Sequence, residues 1–504
     1  MGDSFFVRPS ESRKRSRPSA RSLPNAKTQS RPSARDNARN DEDITSESEE
    51  DNDASPVSEE SESESDHETE IDKRRRLAKE YLNSLETDLV EGFDAKDLDE
   101  DIISRRLRHD VAEQHGHIFR DLSGALFSQV RKVRTGDKNL TGVVSAPHKD
   151  GVSIYTGAKN GTLSKYIVSI LQPKPALVKS RHVGSGILCL AVNTANKLVV
   201  TGTAKGFRVW NAETFEMLRE FKLRCPVLSL AFRRHTSELY VGASDLRLRT
   251  YDLSQFAYVE TLHGHQDEIL GLSALNDERC VSVGGRDRTA IFWKIPEESR
   301  LTFRGGDTRL AHKVNTIREN QLKGETTEED LDIYKVSLEG SIDCCSMLDH
   351  QLFVTGSDNG NAVLWSTNRK KPQFVVALSH GEDPEFTRLQ ASADLNPDTK
   401  VEIPPRLPRA VTAIYAVPFS NVFFTGSWSG DVHMWALSED KRSFSKVQAI
   451  ETGKGIVTGV SATEIGDEYV VTATIAREPR LGRWLVRPGH DRVVAFTLSA
   501  VSHD

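Results

Sequence analysis

Gly284-Gly-Arg-Asp-Arg-Thr-Ala-Ile-Phe-Trp293 joins a glycine that closes one strand to an indole that ends the next, 9 residues on. The spacing recurs. Gly157 to Tyr166, Gly242 to Tyr251, Gly356 to Trp365 and Gly426 to Trp435 also span 9 residues, and Gly202 to Trp210 is one shorter. Most of these glycines follow a β-branched run, as in Lys197-Leu-Val-Val-Thr201 and Gln351-Leu-Phe-Val-Thr355. A further apolar strand precedes each pair, such as Ile187-Leu-Cys-Leu-Ala-Val192 or Val227-Leu-Ser-Leu-Ala-Phe232. The aromatics lie 44, 41, 42, 72, 70 and 61 residues apart, ending at Phe496. Such a unit is a small sheet that cannot bury both faces alone, so neighbours must stack. The expected fold is all-β, a seven-bladed propeller over residues 118–500. The three long intervals hold insertions at about 305–338, 380–408 and 476–491. They are polar and contain Gly or Pro, so they are expected to be loops.

These residues resemble the WD40 family. Gly264-His265 stands 28 residues before Trp293, where that family places its Gly-His and Trp-Asp dipeptides. Asp287 takes the place of the family's buried turn aspartate, and Asp245 matches it in the third blade. The resemblance implies a hydrogen-bonded cluster of His265, Asp287 and Trp293 inside a blade. A histidine beside an aspartate also suits acid–base catalysis, but its recurrence with blade geometry favours the structural role. The pattern is degenerate, since Lys294 replaces the final Asp and no other blade keeps Gly-His at that spacing.

Ahead of the repeats the charge is segregated. Residues 1–40 hold 10 Lys/Arg against 3 acids, whereas residues 41–72 hold 16 acids and no Lys or Arg. The overall net charge of −7 hides this arrangement. A stretch so poor in apolar side chains cannot offset its ordering entropy, so residues 1–70 are expected to be a disordered tail. Arg13-Lys14-Arg15-Ser16-Arg17 fits a nuclear-localisation or nucleic-acid patch. Ser46, Ser48, Ser58, Ser61 and Ser63 sit among acids, which suits acid-directed phosphorylation. From 71 to 117 short amphipathic α-helices are expected. Arg74, Arg75 and Arg76 head Leu77, Tyr81, Leu85 and Leu89, and a second stretch carries Leu98, Ile102, Ile103, Leu107 and Val111. They suit docking on a partner or RNA, or packing on the propeller.

Gly284 through Trp293 continues as Lys-Ile-Pro-Glu-Glu-Ser-Arg-Leu-Thr-Phe303, and this stretch resembles the U3 small nucleolar RNA-associated WD40 family. So do Ser341-Ile-Asp-Cys344, Thr355-Gly-Ser-Asp-Asn-Gly360 and the helix Arg74-Arg-Arg-Leu-Ala-Lys-Glu-Tyr-Leu82. The resemblance implies a component of the U3 small nucleolar ribonucleoprotein and the small-subunit processome in the nucleolus. It implies binding to the box B/C region of U3 RNA beside the kink-turn-binding core protein, in support of precursor rRNA cleavage and 18S rRNA formation. Structured RNA is held through phosphates and 2′-hydroxyls, which needs Arg and Lys on exposed turns of a rigid frame. Arg286 and Arg288 flank Asp287 in such a turn, with Lys294, Arg300, Arg304 and Arg309 following. Arg369-Lys370-Lys371 is a second basic turn. Arg477, Arg480, Arg483 and Arg487, around Trp484, form a third that suits base stacking.

Other functions lack their residues. No 18-residue apolar run suggests a membrane span. Position 6 is Phe6, which breaks a myristoylation pattern, and no secretory leader is expected. The five cysteines, Cys189, Cys225, Cys280, Cys344 and Cys345, form no C-x-x-C pair, so reduced thiols are expected, with no zinc site. No nucleophile elbow, phosphate loop or zinc-protease motif is present, so no enzyme activity, cofactor or small-molecule substrate is expected. The competing reading is a peptide-binding adaptor, such as a ubiquitin-ligase receptor or histone-binding propeller, that would use its central channel.

Overall fold

The computed structural model describes Val111 and residues 119–499, save 123, 137–138, 150, 170–174, 196, 306–307, 325–339, 392–402, 404–405 and 466–467. The tail, its basic run Arg13–Arg17, and the helices expected over 71–117 with Arg74, Arg75 and Arg76 lie outside the described residues, apart from Val111.

The first strand, β1 (Leu126–Arg134), precedes seven four-stranded antiparallel sheets and belongs to the last of them. Blade one is β2 (Leu140–His148), β3 (Gly151–Ala158), β4 (Thr162–Ser169) and β5 (Ala176–His182). Blade two is β6 (Ile187–Asn193), β7 (Leu198–Thr203), β8 (Gly206–Asn211) and β9 (Met217–Lys222). Blade three is β10 (Val227–Phe232), β11 (Glu238–Ala243), β12 (Arg247–Asp252) and β13 (Ala257–His263). Blade four is β14 (Ile269–Ala274), β15 (Arg279–Gly284), β16 (Thr289–Lys294) and β17 (Ser299–Arg304). Blade five is β18 (Ile342–Met347), β19 (Leu352–Ser357), β20 (Ala362–Ser366) and β21 (Phe374–Val376). Blade six is β22 (Val411–Ala416), β23 (Val422–Ser427), β24 (Asp431–Leu437) and β25 (Phe444–Glu451). Blade seven is β26 (Ile456–Ile465), β27 (Glu468–Ala476) and β28 (Arg492–Ser499), with β1 as its outer strand. The ring closes where β26 packs against β2 and where β1 pairs with β28, from Leu126 opposite Ser499 to Arg134 opposite Arg492.

Burial follows sequence across each blade. The second strands are apolar and closed off on both faces, with every residue of β3, β7 and β19 buried. The outer strands are mixed, and all of β5 is exposed. The seven aromatics of the spacing argument, Tyr166 through Phe496, all fall on third strands and are all buried. Trp365 is representative. It is 0% exposed, stacks on Phe353 at 6.1 Å, and donates its indole N–H to Thr355 Oγ1 at 2.9 Å.

One expectation needs correction. The insertion after blade four is not simply a loop, because Thr308–Lys323 forms a 16-residue helix, α1. Leu310, Val314 and Ile317 recur at helical spacing, and Gly324, at φ +79°, ends the helix in the left-handed conformation a non-glycine residue resists. The polar composition concealed that period. The insertion after blade five holds only one short helical turn, α2 (Arg388–Ala391), among its described residues.

Every first strand carries a β-bulge near its start: Thr141, Leu188, Leu228, Leu270, Asp343, Thr412 and Thr458 are skipped in the pairing. A bulge leaves its residue outside the ladder. Seven of them lie around the central channel, a cavity of about 190 Å³ lined by all seven first strands.

Candidate nucleic-acid interface

The alternation of antiparallel strands assigns each turn to a face. One face carries the turns between second and third strands and the connections between blades. The other carries the remaining turns.

Blade four shows how the first face is stiffened. His265 Nδ1 lies 3.0 Å from Asp287 Oδ2, and its Nε2 lies 2.6 Å from Ser282 Oγ. Trp293 Nε1 donates to that same hydroxyl at 2.7 Å, and the Thr289 N–H donates to Asp287 Oδ1 at 2.9 Å. Burial works to raise the Asp287 carboxyl, but hydrogen bonds from His265 and from the Thr289 backbone outweigh it and hold the pKa below the ordinary carboxylate value. The cluster ties three elements around the turn that bears Arg286 and Arg288. In blade three Asp245 has no histidine; it pairs with Arg249, with Cys225 at hand.

Both turn arginines are exposed, and neither side chain has a hydrogen bond or ion pair among the described residues. Arg288 has φ +54° and Leu246, at the same turn position of blade three, has φ +69°, whereas blades one, five and six use Gly161, Gly360 and Gly430 there. A left-handed conformation costs an ordinary side chain on the order of 1 kcal/mol. Arg304 ends β17 on the same face and is also exposed and unpaired among the described residues. The remaining basic positions separate from these. Lys294 sits on the opposite face, paired with Glu297 at 3.0 Å. Arg300 donates to the His263 carbonyl and lies over the Trp293 ring, so it buttresses the blade. Arg309 lies on α1. Arg369, Lys370 and Lys371 occupy the turn before β21, on the face of Lys294.

The third basic group, on residues 477–491 between β27 and β28, divides within itself. Arg480 crosses the channel mouth and donates to the Leu228 carbonyl at 3.1 Å and the Leu270 carbonyl at 2.8 Å. Those are the bulge residues of blades three and four, whose carbonyls have left the ladder. Arg487 pairs with Asp383, and Lys159 of blade one pairs with Glu478 at 3.2 Å and donates to the Gly482 carbonyl. Trp484 meets Trp428 edge to face at 5.7 Å. The segment is therefore a strap tied to four other blades and to the insertion after blade five. It leaves outward Arg477, His490, Val486, the 67% exposed Trp484 and Arg483, which pairs with Glu478 at 3.5 Å. Nothing in the sequence period pointed to a plug, because Arg480 acts on main-chain carbonyls far away in the chain. Arg480→Ala is expected to lower unfolding stability by about 1–3 kcal/mol, the range for hydrogen bonds from a charged donor. Lysine, which lacks the fork, should restore only part of it. Denaturant unfolding curves identical for all three proteins would contradict the anchor.

Blade six contains a second cluster that the spacing hid. His380 Nε2 lies 2.8 Å from Thr425 Oγ1, and Trp435 Nε1 donates to the same hydroxyl at 2.8 Å, as in blade four. The insertion after His380 separates it from Trp435, so the dipeptide rule missed it. His380 stacks on His433 with ring centroids 3.9 Å apart. Burial first, then the charge of His433, Lys446 and Arg409, pushes His380 from 6.5 down to about 2. Burial first, then Lys446, pushes His433 down to about 4, against Asp431, which raises it. Both rings are thus neutral in the fold. Their contribution to stability is complete above the unfolded value of 6.5 and is lost as pH falls toward 4, because the unfolded chain takes up protons first. His433→Gln is expected to flatten the stability profile between pH 6.5 and 4. Burial pushes Asp343 up to about 6, which bends the profile the other way, but that contribution is common to both proteins and cancels in their difference. Parallel profiles would refute the assignment.

Comparison with known proteins agrees with this architecture. The family model described as WD domain, G-beta repeat matches residues 256–294, from β13 through β16. The chain is 35% identical to Ribosomal RNA-processing protein 9 of Saccharomyces cerevisiae, over 88% of this chain and 92% of that one. It is 28% identical to U3 small nucleolar RNA-interacting protein 2 of Homo sapiens, covering 83% and 79% of the two chains. The solved structure of U3-55K superposes with a TM-score of 0.58 at 27% identity, covering 73% of this chain and 98% of that one.

Proposed function

The chain belongs to the Ribosomal RNA-processing protein 9 family of WD40 propellers, and from that premise we propose that it is a U3 small nucleolar ribonucleoprotein component acting in precursor rRNA processing. Its work is recognition, without catalysis. The RNA it takes is U3, at the box B/C region and beside the kink-turn-binding core protein, and its place of action is the nucleolus. The observation that carries the RNA-binding part is one face with exposed, unpaired cations, Arg286, Arg288 and Arg304, together with the exposed Trp484 beside Arg483. Arginine matches phosphate with paired donors, and an exposed indole takes a base by stacking. A peptide adaptor would need the central channel, whose mouth on this face is occupied by the chain's own Arg480.

Arg288→Gly tests the reading without threatening the fold. Glycine suits φ +54°, so thermal stability is expected to stay level or rise by up to about 1 kcal/mol. Affinity for U3 box B/C RNA should fall several-fold as one phosphate contact is lost. Unchanged RNA affinity together with unchanged stability would remove Arg288 from the interface.

A further inference from the structure

We propose that a cavity between the strap and the connection leading into β2 binds a single nucleotide, its phosphate held by Arg134 and Arg477. The inference deepens the RNA-binding reading above and rests on it. The cavity measures about 440 Å³, within the roughly 300–1,000 Å³ of small-molecule sites. Its walls are Arg134, Thr135, Gly136 and Asn139 on one side, and Arg477, Glu478, Val486, His490 and Asp491 on the other.

Three observations support an anionic occupant. Arg134, Arg477 and His490 are exposed into the cavity region and have no hydrogen bond or ion pair from their side chains among the described residues. Among the described residues, the acids lining the cavity already have partners. Glu478 pairs with Lys159, and Asp491 accepts the N–H groups of Asn139 at 2.8 Å and Arg477 at 3.1 Å. Arg134 is also close enough to Arg492 that its charge, after burial, helps lower the Arg492 pKa, so like charges crowd this corner. Crowded, unneutralised guanidinium groups are a costly arrangement that a phosphate relieves, because its oxygens accept from both. Asn139, at φ +58°, holds the lip in a conformation that ordinary side chains avoid. The apolar wall at Val486, 57% exposed, lies next to Trp484 on the outward side of the strap, where a nucleobase finds its surface.

The nucleotide is either one unit of the bound RNA or a free ribonucleotide, and two titrations of the full-length chain separate them. The first uses a fluorescent single-stranded oligoribonucleotide and the second uridine 5′-monophosphate, each against the wild type and the Arg134→Ala, Arg477→Ala double variant. Both substitutions are on exposed side chains, and equal thermal midpoints check the fold. Loss of about tenfold or more in oligonucleotide affinity is expected, as two charge-assisted contacts disappear. Monophosphate binding that disappears in the double variant, even where oligonucleotide binding is absent, supports the cavity with a free nucleotide as its ligand. Oligonucleotide affinity that is unchanged in the double variant but lost in Arg286→Glu, Arg288→Glu would overturn the cavity and leave the RNA reading intact. Binding of neither molecule by the wild type overturns both.

Discussion

Arg286→Glu and Arg288→Glu together lower the affinity of the full-length chain for U3 box B/C RNA by about 100-fold, while the fold is kept. Each exchange removes a donor from the turn and puts a carboxylate in its place, so contacts are lost and repulsion is added. Neither side chain hydrogen-bonds to the blade, and Arg288 adds only a favourable charge toward Asp358 of blade five. The turn is held instead by Asp287, through His265, Ser282 and the Thr289 N–H, and by the Arg286 backbone N–H donating to Asp267 at 2.6 Å. Glutamate at 288 inherits the same left-handed strain as arginine, so stability should change by less than about 0.5 kcal/mol, as for exposed substitutions generally. The loss should shrink as salt is raised, because the wild type depends on counterion release more than the variant does. Equal affinities at low salt would end the case for this turn.

Trp365→Ala costs about 3–5 kcal/mol of unfolding free energy, the range for deleting a fully buried large aromatic. The indole fills the seam between blades four and five. Phe303 of β17 meets it edge on at 5.8 Å, and Phe353 stacks on it. The cavity left behind cannot collapse, since the seam is bounded by two hydrogen-bonded sheets. The Thr355 hydroxyl also loses its donor. In a ring whose blades depend on their neighbours, a loss of this size is felt by the whole domain and should appear as a single shifted transition. Equilibrium denaturation checks it, and a cost under about 1 kcal/mol would show that the blades are less coupled than their packing implies.

The architecture was legible because a propeller repeats one local decision seven times. Glycine, turn and aromatic at fixed spacing reported the second and third strands of each blade, so Tyr166, Trp210 and the rest fall where the period put them. What escaped notice was non-local. The outer strand of blade seven comes from Leu126–Arg134, more than 350 residues before its partner, and its cations Arg131, Lys132 and Arg134 named no neighbour. His380 was masked by the insertion that follows it, although its bonds repeat those of His265. α1 was masked by polar composition. The exposure of the candidate cations was legible in part. Residue type marked Arg286 and Arg288 rightly as exposed turn cations, but sequence proximity also grouped Lys294 with them, and strand alternation sends Lys294 to the other face. Arg480 read as a surface cation and proved to be an internal one, because the bulges that expose the Leu228 and Leu270 carbonyls leave no trace in hydrophobic periodicity.

Ultraviolet cross-linking of the full-length chain to U3 RNA, with the attached peptides read by mass spectrometry, tests the central claim most directly. Cross-links on the turn 285–288, on Arg304 and on the strap 477–491 are predicted. Cross-links confined to the opposite face, at the turns holding Lys294 and Arg369–Lys371, or an absence of U3 RNA from the cross-linked material, would contradict it.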